Sequence, residues 1–427
     1  MEQLFWLIII LAEASIAFWS IRRRKNLSAG VLISIYIIAL QGTYLTATTG
    51  ALSSQFGELS QASYETILSK TLYVYLILFL ITIAALHSCP IQNTEKTNKI
   101  REKIREAADK LGSWPAILII QFIVIANMLA IDKGIMWENN TYLLMNSPAA
   151  YNIPPQTAMI LRVLFGLSGI IGAFILPALF QQSNKSRLAI LLPAWLLVFL
   201  FQLSAHSRTA AVYAFVLCIT SYLISRKWTP AKTALASTFI VFSLAFALKG
   251  RALPLHGLGA IPDGIWHIFE NINTDTFAFI LVNLMQGIFA TGDALLLNAS
   301  HAPEYKILSI SPLPSSIDGF DKLLNCCEIR VNAFVPMSAI AEAYHFGPEF
   351  YIPLMIFMYI TIRSTEKFSL QNKTLYPILL NLFVFITFVS ANAYQLRNTL
   401  RQFIAVVLII QIYSMLKRLS QKRKTQP

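Results

Sequence analysis

Charged residues and recognisable ligand-binding motifs are scarce in this sequence. Only 13% of the 427 residues are charged while 56% are hydrophobic, and the mean hydropathy is +0.59. That leaves too little polar surface to coat a soluble globule. The four cysteines have no metal-ligand spacing, and no Walker loop or dinucleotide fingerprint is present. Cys326 and Cys327 are adjacent, which leaves two thiols, a strained vicinal disulfide or a bond to another chain as alternatives.

Long apolar runs are abundant instead. They predict an all-α, polytopic integral membrane protein, a single transmembrane domain over residues 1–427 with about eleven membrane-spanning helices. Several runs are short for a span, so flanking residues are expected to extend them. The predicted spans are Leu4–Trp19, Ala29–Thr46, Leu72–Leu86, Trp114–Ile131, Ala158–Phe180, Leu188–Leu203, Ala210–Ser225, Thr233–Leu248, Phe350–Ile362, Leu375–Ala393 and Phe403–Met415.

Lysine and arginine are distributed unequally between alternate connections. One side carries 23 of them and the other 10, while Arg162 falls within a span. Because basic residues collect on the cytoplasmic side, this asymmetry predicts an external N-terminus and a cytoplasmic C-terminus. The same asymmetry accounts for the net charge of +13, which therefore does not indicate nucleic-acid binding.

One connection is far longer than the others. It runs from Lys249 to about Glu349 on the predicted outer side and is the best candidate for a functional element. Within it, Phe277–Leu297 is apolar enough to span, but a span there would place the basic C-terminus outside. We therefore expect this segment to be an amphipathic helix on the outer surface or a re-entrant segment.

Arginines on the predicted outer side oppose the charge bias and are candidates for binding. A guanidinium matches phosphate and pyrophosphate oxygens bidentately, whereas the alternative for each is a solvated charge or a contact with lipid headgroups. Arg162, one or two turns inside a span, either snorkels to headgroups or faces a polar cavity. The candidates are Arg162, Arg208, Arg251, Arg330, Arg397 and Arg401.

Three short constellations concentrate polar groups on this side. SAHSRTA places His206 and Arg208 in a very short turn, and QLRNTLRQ places Arg397 and Arg401 at i and i+4, on one face of a helix. The third is SPLPSSIDGF, residues 311–320, followed by RVNAFVPMSAIAEAYHFGPEF, residues 330–350, in which prolines favour an extended path.

The third constellation also supplies acid–base groups. Glu342 or His345 is a candidate general base for a substrate hydroxyl, with Tyr344 between them. The alternative is that Glu342 pairs with an arginine and His345 lies at the membrane interface. Glu13, in the first span, is interpreted as a satisfied polar contact rather than a proton relay.

The layout and three patches resemble the Wzy family of O-antigen, or oligosaccharide repeat unit, polymerases. The patches are SRTA at 207–210, PLPSS at 312–316 and EAYHFG at 342–347; Pro348 and Glu349 depart from the small residues common after that motif. Periplasmic arginines are essential in the family, which implies such a role for Arg208 and Arg330 first, then Arg251, Arg397 and Arg401. Glu342 and Tyr344 match the family's acidic and aromatic positions.

The resemblance implies a metal-independent glycosyltransferase without a cofactor, in the bacterial inner membrane with its active site facing the periplasm. Its substrates would be undecaprenyl-pyrophosphate-linked oligosaccharides, polymerised into O-antigen or a related surface polysaccharide. A chain-length regulator and a flippase of the same pathway would be its partners. Arginines would hold the pyrophosphate, and Glu342 or His345 would activate the acceptor.

Two other classes remain open at this point. O-antigen ligases share the membrane layout but transfer finished glycan to lipid A core, and they pair a periplasmic histidine with a glycine-rich stretch, which HGLGAIPDG at 256–264 resembles. A non-enzymatic polysaccharide or lipid transporter would need polar residues along several spans, where this chain has Glu13 and Arg162.

Overall fold

Helices account for the regular structure of the described chain. The computed structural model describes residues 2–24, 28–48, 64–89, 102, 106, 108–142, 144–182, 184–225, 229–270, 274–298, 300–313, 318–329, 337–371 and 376–425. Within these ranges the regular elements are α-helices and single 3-10 turns, with two isolated bridges and no strand. The all-α prediction is therefore confirmed.

Each predicted span coincides with a helix, although Ile131 and Ser225 lie one residue beyond the ends of theirs and Leu375 lies outside the described residues. The helices, in chain order, are α1 Glu2–Arg24, α2 Ala29–Thr48, α3 Tyr64–His87, α4 Trp114–Ala130, α5 Lys133–Trp137, α6 Pro155–Gln181, α7 Lys185–Ser204, α8 Thr209–Ile224, α9 Pro230–Lys249, α10 Ile261–Glu270, α11 Thr274–Leu296, α12 Pro303–Ser309, α13 Phe320–Cys327, α14 Ala339–Phe346, α15 Pro348–Gln371, α16 Tyr376–Ala393 and α17 Leu396–Thr425. Helices α10 to α14 occupy much of the predicted long connection.

Seven helices of the described chain are long and apolar enough to cross a membrane, namely α1, α2, α3, α6, α7, α9 and α17. This is the character of a helical, multi-pass membrane protein. The apolar parts of α4, α8 and α16 are shorter. Helix α15, which contains the predicted span Phe350–Ile362, is not among the seven and also carries Arg363, Glu366 and Lys367. Spans at these four helices stay predictions.

Local sequence explains where several helices begin. Pro155 and Pro230 stand at the first position of α6 and α9, where the missing N–H costs nothing. The side chain of Thr229 accepts a hydrogen bond from the Lys232 amide at the start of α9. The Asn184 side chain caps α7 in the same way, by accepting from the Arg187 amide.

By contacts the chain divides into two compact units, each described here by itself. Unit 1 comprises Met1–Thr97 and Leu281–Pro427, and unit 2 comprises Asn98–Ile280. In unit 1 the first amides of α2 are capped from other helices. Gly30 donates to Glu366 Oε1 at 3.0 Å and Ala29 donates to Asn381 Oδ1 at 2.9 Å, which stabilises the buried Glu366 carboxylate.

The α1–α2 pair contains the acidic residue noted in the first span. Glu13 is 3% exposed and accepts a hydrogen bond from the fully buried Gln41 amide. This agrees with the interpretation of Glu13 as a satisfied polar contact.

Residues 284–296 of α11 pack deep in unit 1. Tyr36, in the middle of α2, donates to the Leu284 carbonyl at 3.0 Å, and the Tyr75 hydroxyl lies 3.3 Å from Thr291 Oγ1. Gly287 lies directly against the backbone of α16 at Asn392. Residues 284–296 therefore contact α2, α3 and α16. The choice between a surface helix and a re-entrant segment for Phe277–Leu297 stays a prediction.

In unit 2, small residues of α6 admit aromatic side chains from its neighbours. The Tyr213 hydroxyl of α8 donates to the Gly166 carbonyl at 3.0 Å, and the Trp195 indole of α7 donates to the Gly169 carbonyl at 3.1 Å. A Cβ at Gly169 would lie 2.4 Å from the Tyr213 ring. Small residues at a helix interface allow such close packing in membrane proteins.

Replacing Gly287 with alanine should destabilise unit 1. The added Cβ would lie 2.2 Å from the Asn392 carbonyl oxygen, a backbone atom that cannot rotate away. We expect a loss of about 1–3 kcal/mol, measured as a lower thermal midpoint of the purified protein in detergent. Gly42→Ala is the matched control, because nothing lies within 4 Å of its Cβ position. If both variants unfold at the wild-type temperature, the packing of α11 on α16 is wrong.

Candidate functional site

Helix α14 carries the acid–base groups of the third constellation. Its N-terminus is capped by the Ser338 side chain, which accepts from the Ala341 amide at 3.1 Å and lies 2.7 Å from Thr291 Oγ1 of α11. The cap therefore links α14 to α11. Glu342 then falls on the buried face of α14, and His345 and Tyr344 on its partly open side.

The Glu342 carboxylate is enclosed and uses both oxygens. Oε1 accepts from the Tyr305 hydroxyl at 2.9 Å, and Oε2 accepts from the Leu396 amide, the first of α17, at 2.5 Å. The side chain is 2% exposed. A carboxylate at a helix N-terminus is also favoured by the helix dipole. The predicted alternative was that Glu342 pairs with an arginine, but neither of these two contacts is with an arginine.

This environment shifts the acidity of both partners. Burial raises the pKa of Glu342 to about 7, against the opposing hydrogen bonds from Leu396 and Tyr305. Burial and the negative charge of Glu342 raise the pKa of Tyr305 far above its ordinary value. Glu342 therefore changes charge near neutral pH while Tyr305 keeps its proton.

Arg397, one residue after the capped amide, is buried, and its two terminal nitrogens are hydrogen-bonded while Nε has no partner among the described residues. Its guanidinium donates to the carbonyls of Leu308 and Leu313, the latter at 2.7 Å, and to Asp318 Oδ2 at 2.5 Å. It also lies over the Phe320 ring, 4.2 Å from the centroid. Arg397 is 2% exposed, so it holds Leu308, Leu313 and Asp318 in place rather than facing solvent.

The carboxylate of this ion pair is stabilised in its charged form. Burial raises the pKa of Asp318, but hydrogen bonds from Arg397, Ser311 and the Phe320 amide outweigh burial and lower it to about 2. Asp318 is therefore ionised throughout the physiological range, and the charge of Arg397 is always matched.

Arg401 joins Arg397 on the same carbonyl. Its guanidinium donates to the Leu313 carbonyl, as Arg397 does from one turn earlier in α17. The predicted i and i+4 arrangement on one helix face is confirmed. Leu313 belongs to the PLPSS segment, so the second and third constellations meet here. Arg401 is only partly buried, which distinguishes it from Arg397.

His345 is partly exposed and has a defined tautomer. Its Nε2 contacts the Ala294 carbonyl, an acceptor, so Nε2 carries the hydrogen and Nδ1 has the lone pair in the neutral ring. Tyr344, beside it, is 49% exposed and packs edge-on against Tyr351, with ring centroids 5.8 Å apart. These two side chains are the accessible polar groups of α14.

Three residues of this cluster were not singled out from the sequence: His301, Tyr305 and Asp318. His301 stacks on Tyr305 at 5.2 Å between centroids and is 5% exposed. Burial lowers the pKa of His301 to about 4, with smaller contributions from His345 and Lys306. The sequence signal for the carboxylate contact is weak, because Tyr305 lies 37 residues from Glu342.

The remaining candidate arginines in the described chain lie in unit 2. The Arg251 guanidinium stands over the Tyr142 ring, 5.3 Å from the centroid. Arg208 stands immediately before α8 and is partly buried. Arg162 lies two turns into α6, also partly buried, where its charge acts on Tyr151 and opposes the rise in the pKa of that phenol caused by burial.

Two histidines adjoin Arg251. The rings of His206 and His256 lie 4.8 Å apart, edge to face, and both are buried. His206 has a positive φ of 49°, and its ring fills the space that a Cβ at Gly250 would need. Burial, His256 and Arg251 lower the pKa of His206 to about 4 against an opposing contact with the Phe246 carbonyl, so it is neutral at physiological pH.

The structure thus brings together part of the predicted site. Unit 1 collects Glu342, Tyr344, His345, Arg397 and Arg401, while unit 2 holds Arg162, Arg208 and Arg251. Arg330 and most of PLPSS lie outside the described residues. Among the described residues, no three His, Cys, Asp or Glu side chains are grouped as metal ligands.

Arg397→Lys should release the 308–320 segment although it keeps the charge. A lysine ammonium cannot reach two carbonyls and a carboxylate at once, and it leaves the Phe320 ring uncovered. We expect amide hydrogen exchange in peptides covering 303–327 to accelerate about tenfold or more. Lys322→Gln, at an exposed position of α13, is the matched control for a nearby cation. Unchanged exchange in Arg397→Lys would contradict the assigned role.

The stability contributed by Glu342 should fall as pH rises. Below about pH 4.5 the folded and unfolded forms both hold the proton; between 4.5 and about 7 only the unfolded form ionises, so stability is lost up to about pH 7. Thermal unfolding of wild type and Glu342→Gln between pH 4.5 and 8 measures this difference. Wild type should lose about 3 kcal/mol relative to the variant. The exposed Glu304→Gln serves as control, and a parallel pH dependence in all three would refute the prediction.

No known protein supplies these roles by similarity. No family model matches this chain, and neither a curated protein nor a solved structure matches it. The roles of the residues are therefore argued from their contacts and their chemistry.

Proposed function

We propose that this membrane protein is a glycosyltransferase that polymerises oligosaccharide repeat units carried on a polyprenyl diphosphate, as the resemblance to Wzy polymerases implies. The repeat units would become O-antigen or a related surface polysaccharide. We place the protein in the bacterial inner membrane, with an external N-terminus, a cytoplasmic C-terminus and the site facing the periplasm. The charge asymmetry of the sequence supports this orientation.

One observation carries the proposal. The first two turns of α17 join two of the three patches on which the resemblance rests, because Arg397 and Arg401 bind Leu313 of PLPSS and Leu396 binds Glu342 of EAYHFG. The two patches are separated by 25 residues in the sequence. Their convergence on one helix end, beside a partly exposed imidazole, supports a site for chemistry rather than scattered surface charges.

Of the two candidate bases, the geometry favours His345. Glu342 would have to give up the Tyr305 hydroxyl or the Leu396 amide to accept a substrate proton, and it is nearly inaccessible. His345 is partly exposed and holds its Nδ1 lone pair in the neutral ring. Glu342 then acts as a positioning residue that links α14 to α17.

The transfer can be written in full. The acceptor is a hydroxyl at the non-reducing end of one lipid-linked repeat unit, and His345 Nδ1 removes its proton. The hydroxyl oxygen forms a bond to the anomeric carbon of the donor sugar as the bond from that carbon to the diphosphate breaks. The polyprenyl diphosphate leaves with the electron pair, and cationic side chains stabilise its charge.

The arginines divide into two groups by burial. Arg397 is committed to Asp318 and two carbonyls, so we assign it to shaping the site. The cations proposed to contact diphosphate or glycan are those that are partly exposed or not described, together with Tyr344 as a sugar-contacting ring. They are Arg401 and, outside the described residues, Arg330. For Arg162, Arg208 and Arg251, which belong to unit 2, contact with substrate stays a prediction from the sequence.

The partners follow from the same proposal. A polymerase of this type works beside a flippase, which delivers the lipid-linked units, and a chain-length regulator. Interaction with either would be mediated by the membrane-facing helices or the external segments. The substrates themselves are amphiphiles that reach the site through the bilayer.

Complementation of a gene deletion tests the proposal and ranks the candidate base. Wild type should restore a ladder of surface glycan, whereas the deletion should show lipid A core with a single repeat unit. Loss of all glycan from the core, with long chains on the carrier, would indicate a ligase; an unchanged ladder in the deletion would favour transport. Either result would overturn the proposed polymerisation.

In the same strain, His345→Ala should reduce polymerisation by about 10²–10⁴-fold, the range for loss of a general base. His267→Ala, an exposed histidine on α10, is the matched control. Equal amounts of membrane-inserted protein must be verified by immunoblot. A full ladder from His345→Ala would remove His345 from the mechanism without touching the polymerase assignment itself.

A further inference from the structure

Helix α10 has a face buried against the end of α9. Gly264 and Ile268 are buried, and a Cβ at Gly264 would lie 2.9 Å from the Phe246 ring in the last turn of α9. The Phe269 ring packs near Phe242, with centroids 6.0 Å apart. Contact is therefore made over more than one turn of each helix, which fixes the rotation of α10 about its axis.

The exposed half of α10 is divided into two edges. At about 100° per residue, Pro262, Trp266 and Phe269 fall within about 60° of one another, and they form the apolar edge. Asp263, His267 and Glu270 fall within the next 60° or so, and they form the polar edge. Trp266 is 66% exposed and Phe269 59% exposed, so more than half of each aromatic side chain is left open by the described residues.

The direction of the apolar edge is set by α9. This helix is one of the seven long enough to span a membrane, and it ends at Lys249. Phe242 lies seven residues before that end, about 10 Å along the helix axis. Because Phe269 contacts Phe242, the apolar edge is turned along α9 toward the level of the hydrocarbon, and the polar edge faces the other way.

We infer that α10 is an interfacial helix whose partner is the lipid leaflet at the Lys249 end of α9. Trp266 and Phe269 insert among the upper acyl chains, while Asp263, His267 and Glu270 remain in water. Aromatic residues concentrate at this depth, and helices with adjacent apolar and polar edges bury the apolar one about 5–10 Å into the headgroup boundary. A protein partner would instead have to cover the acidic edge and the aromatic edge together. This inference does not depend on the proposed activity.

Spin labels on the two edges test the inference in the full-length protein. Trp266, Phe269, His267 and Glu270 are replaced singly by cysteine in a variant whose four native cysteines are alanine, and the labelled proteins are reconstituted into phosphatidylglycerol and phosphatidylethanolamine vesicles. Power saturation with oxygen and with nickel chelate reports depth. Labels at 266 and 269 should be relaxed mainly by oxygen, and labels at 267 and 270 mainly by nickel.

Two outcomes would overturn the inference. Nickel-dominated relaxation at all four sites would put α10 in water, and low accessibility to both agents at 266 and 269 would indicate a protein contact such as a second copy. Because the cysteine-free variant can fail to fold, the unmodified chain supplies a second measurement. Its tryptophan emission should be quenched by lipids brominated near the headgroup, and Trp266→Phe should lose part of that quenching. Equal quenching in both proteins would count against insertion.

Discussion

A guanidinium that is 98% removed from solvent must find acceptors, and unit 1 is arranged to supply them to Arg397. Arginine keeps its positive charge inside a protein. The Leu308 and Leu313 carbonyls and the Asp318 carboxylate therefore have to lie where the guanidinium is. This requirement fixes the positions of Leu308, Leu313 and Asp318 beside the start of α17, and the Phe320 ring covers one face of the guanidinium.

Unit 1 also repeats one way of keeping carboxylates inside a largely apolar protein. Glu366 on α15 receives the Gly30 amide at the start of α2, and Glu342 on α14 receives the Leu396 amide at the start of α17. In both cases an amide that the helix itself cannot satisfy meets a carboxylate from another helix. Each contact offsets two free-energy costs, that of burying an unpaired N–H and that of burying a carboxylate. It also links the beginning of one helix to the C-terminal part of α15 or to the first turn of α14.

The sequence predicts elements whose causes are local. Apolar runs predict the helices, and the i, i+4 spacing predicts that Arg397 and Arg401 share one helix face. The structure has both features. The partners of the buried charges are not local: Asp318 lies 79 residues from Arg397, and Tyr305 lies 37 from Glu342.

Burial separates residues that a simple loss-of-function screen would group together. Arg397 and Arg401 differ by one helical turn and share an acceptor, yet only Arg401 retains access to solvent. Removing Arg397 leaves the Asp318 carboxylate without its cation. Any effect on activity therefore results from displacement of Leu308, Leu313 and Asp318. Glu342 behaves in the same way, because it holds α14 to α17. Among the acid–base candidates of α14, the residue that remains chemically available is His345. Its Nε2 contacts the Ala294 carbonyl of α11. The packing of α11 thus sets which nitrogen of His345 faces the Ala294 carbonyl, and this links α11 to the chemistry proposed for the site.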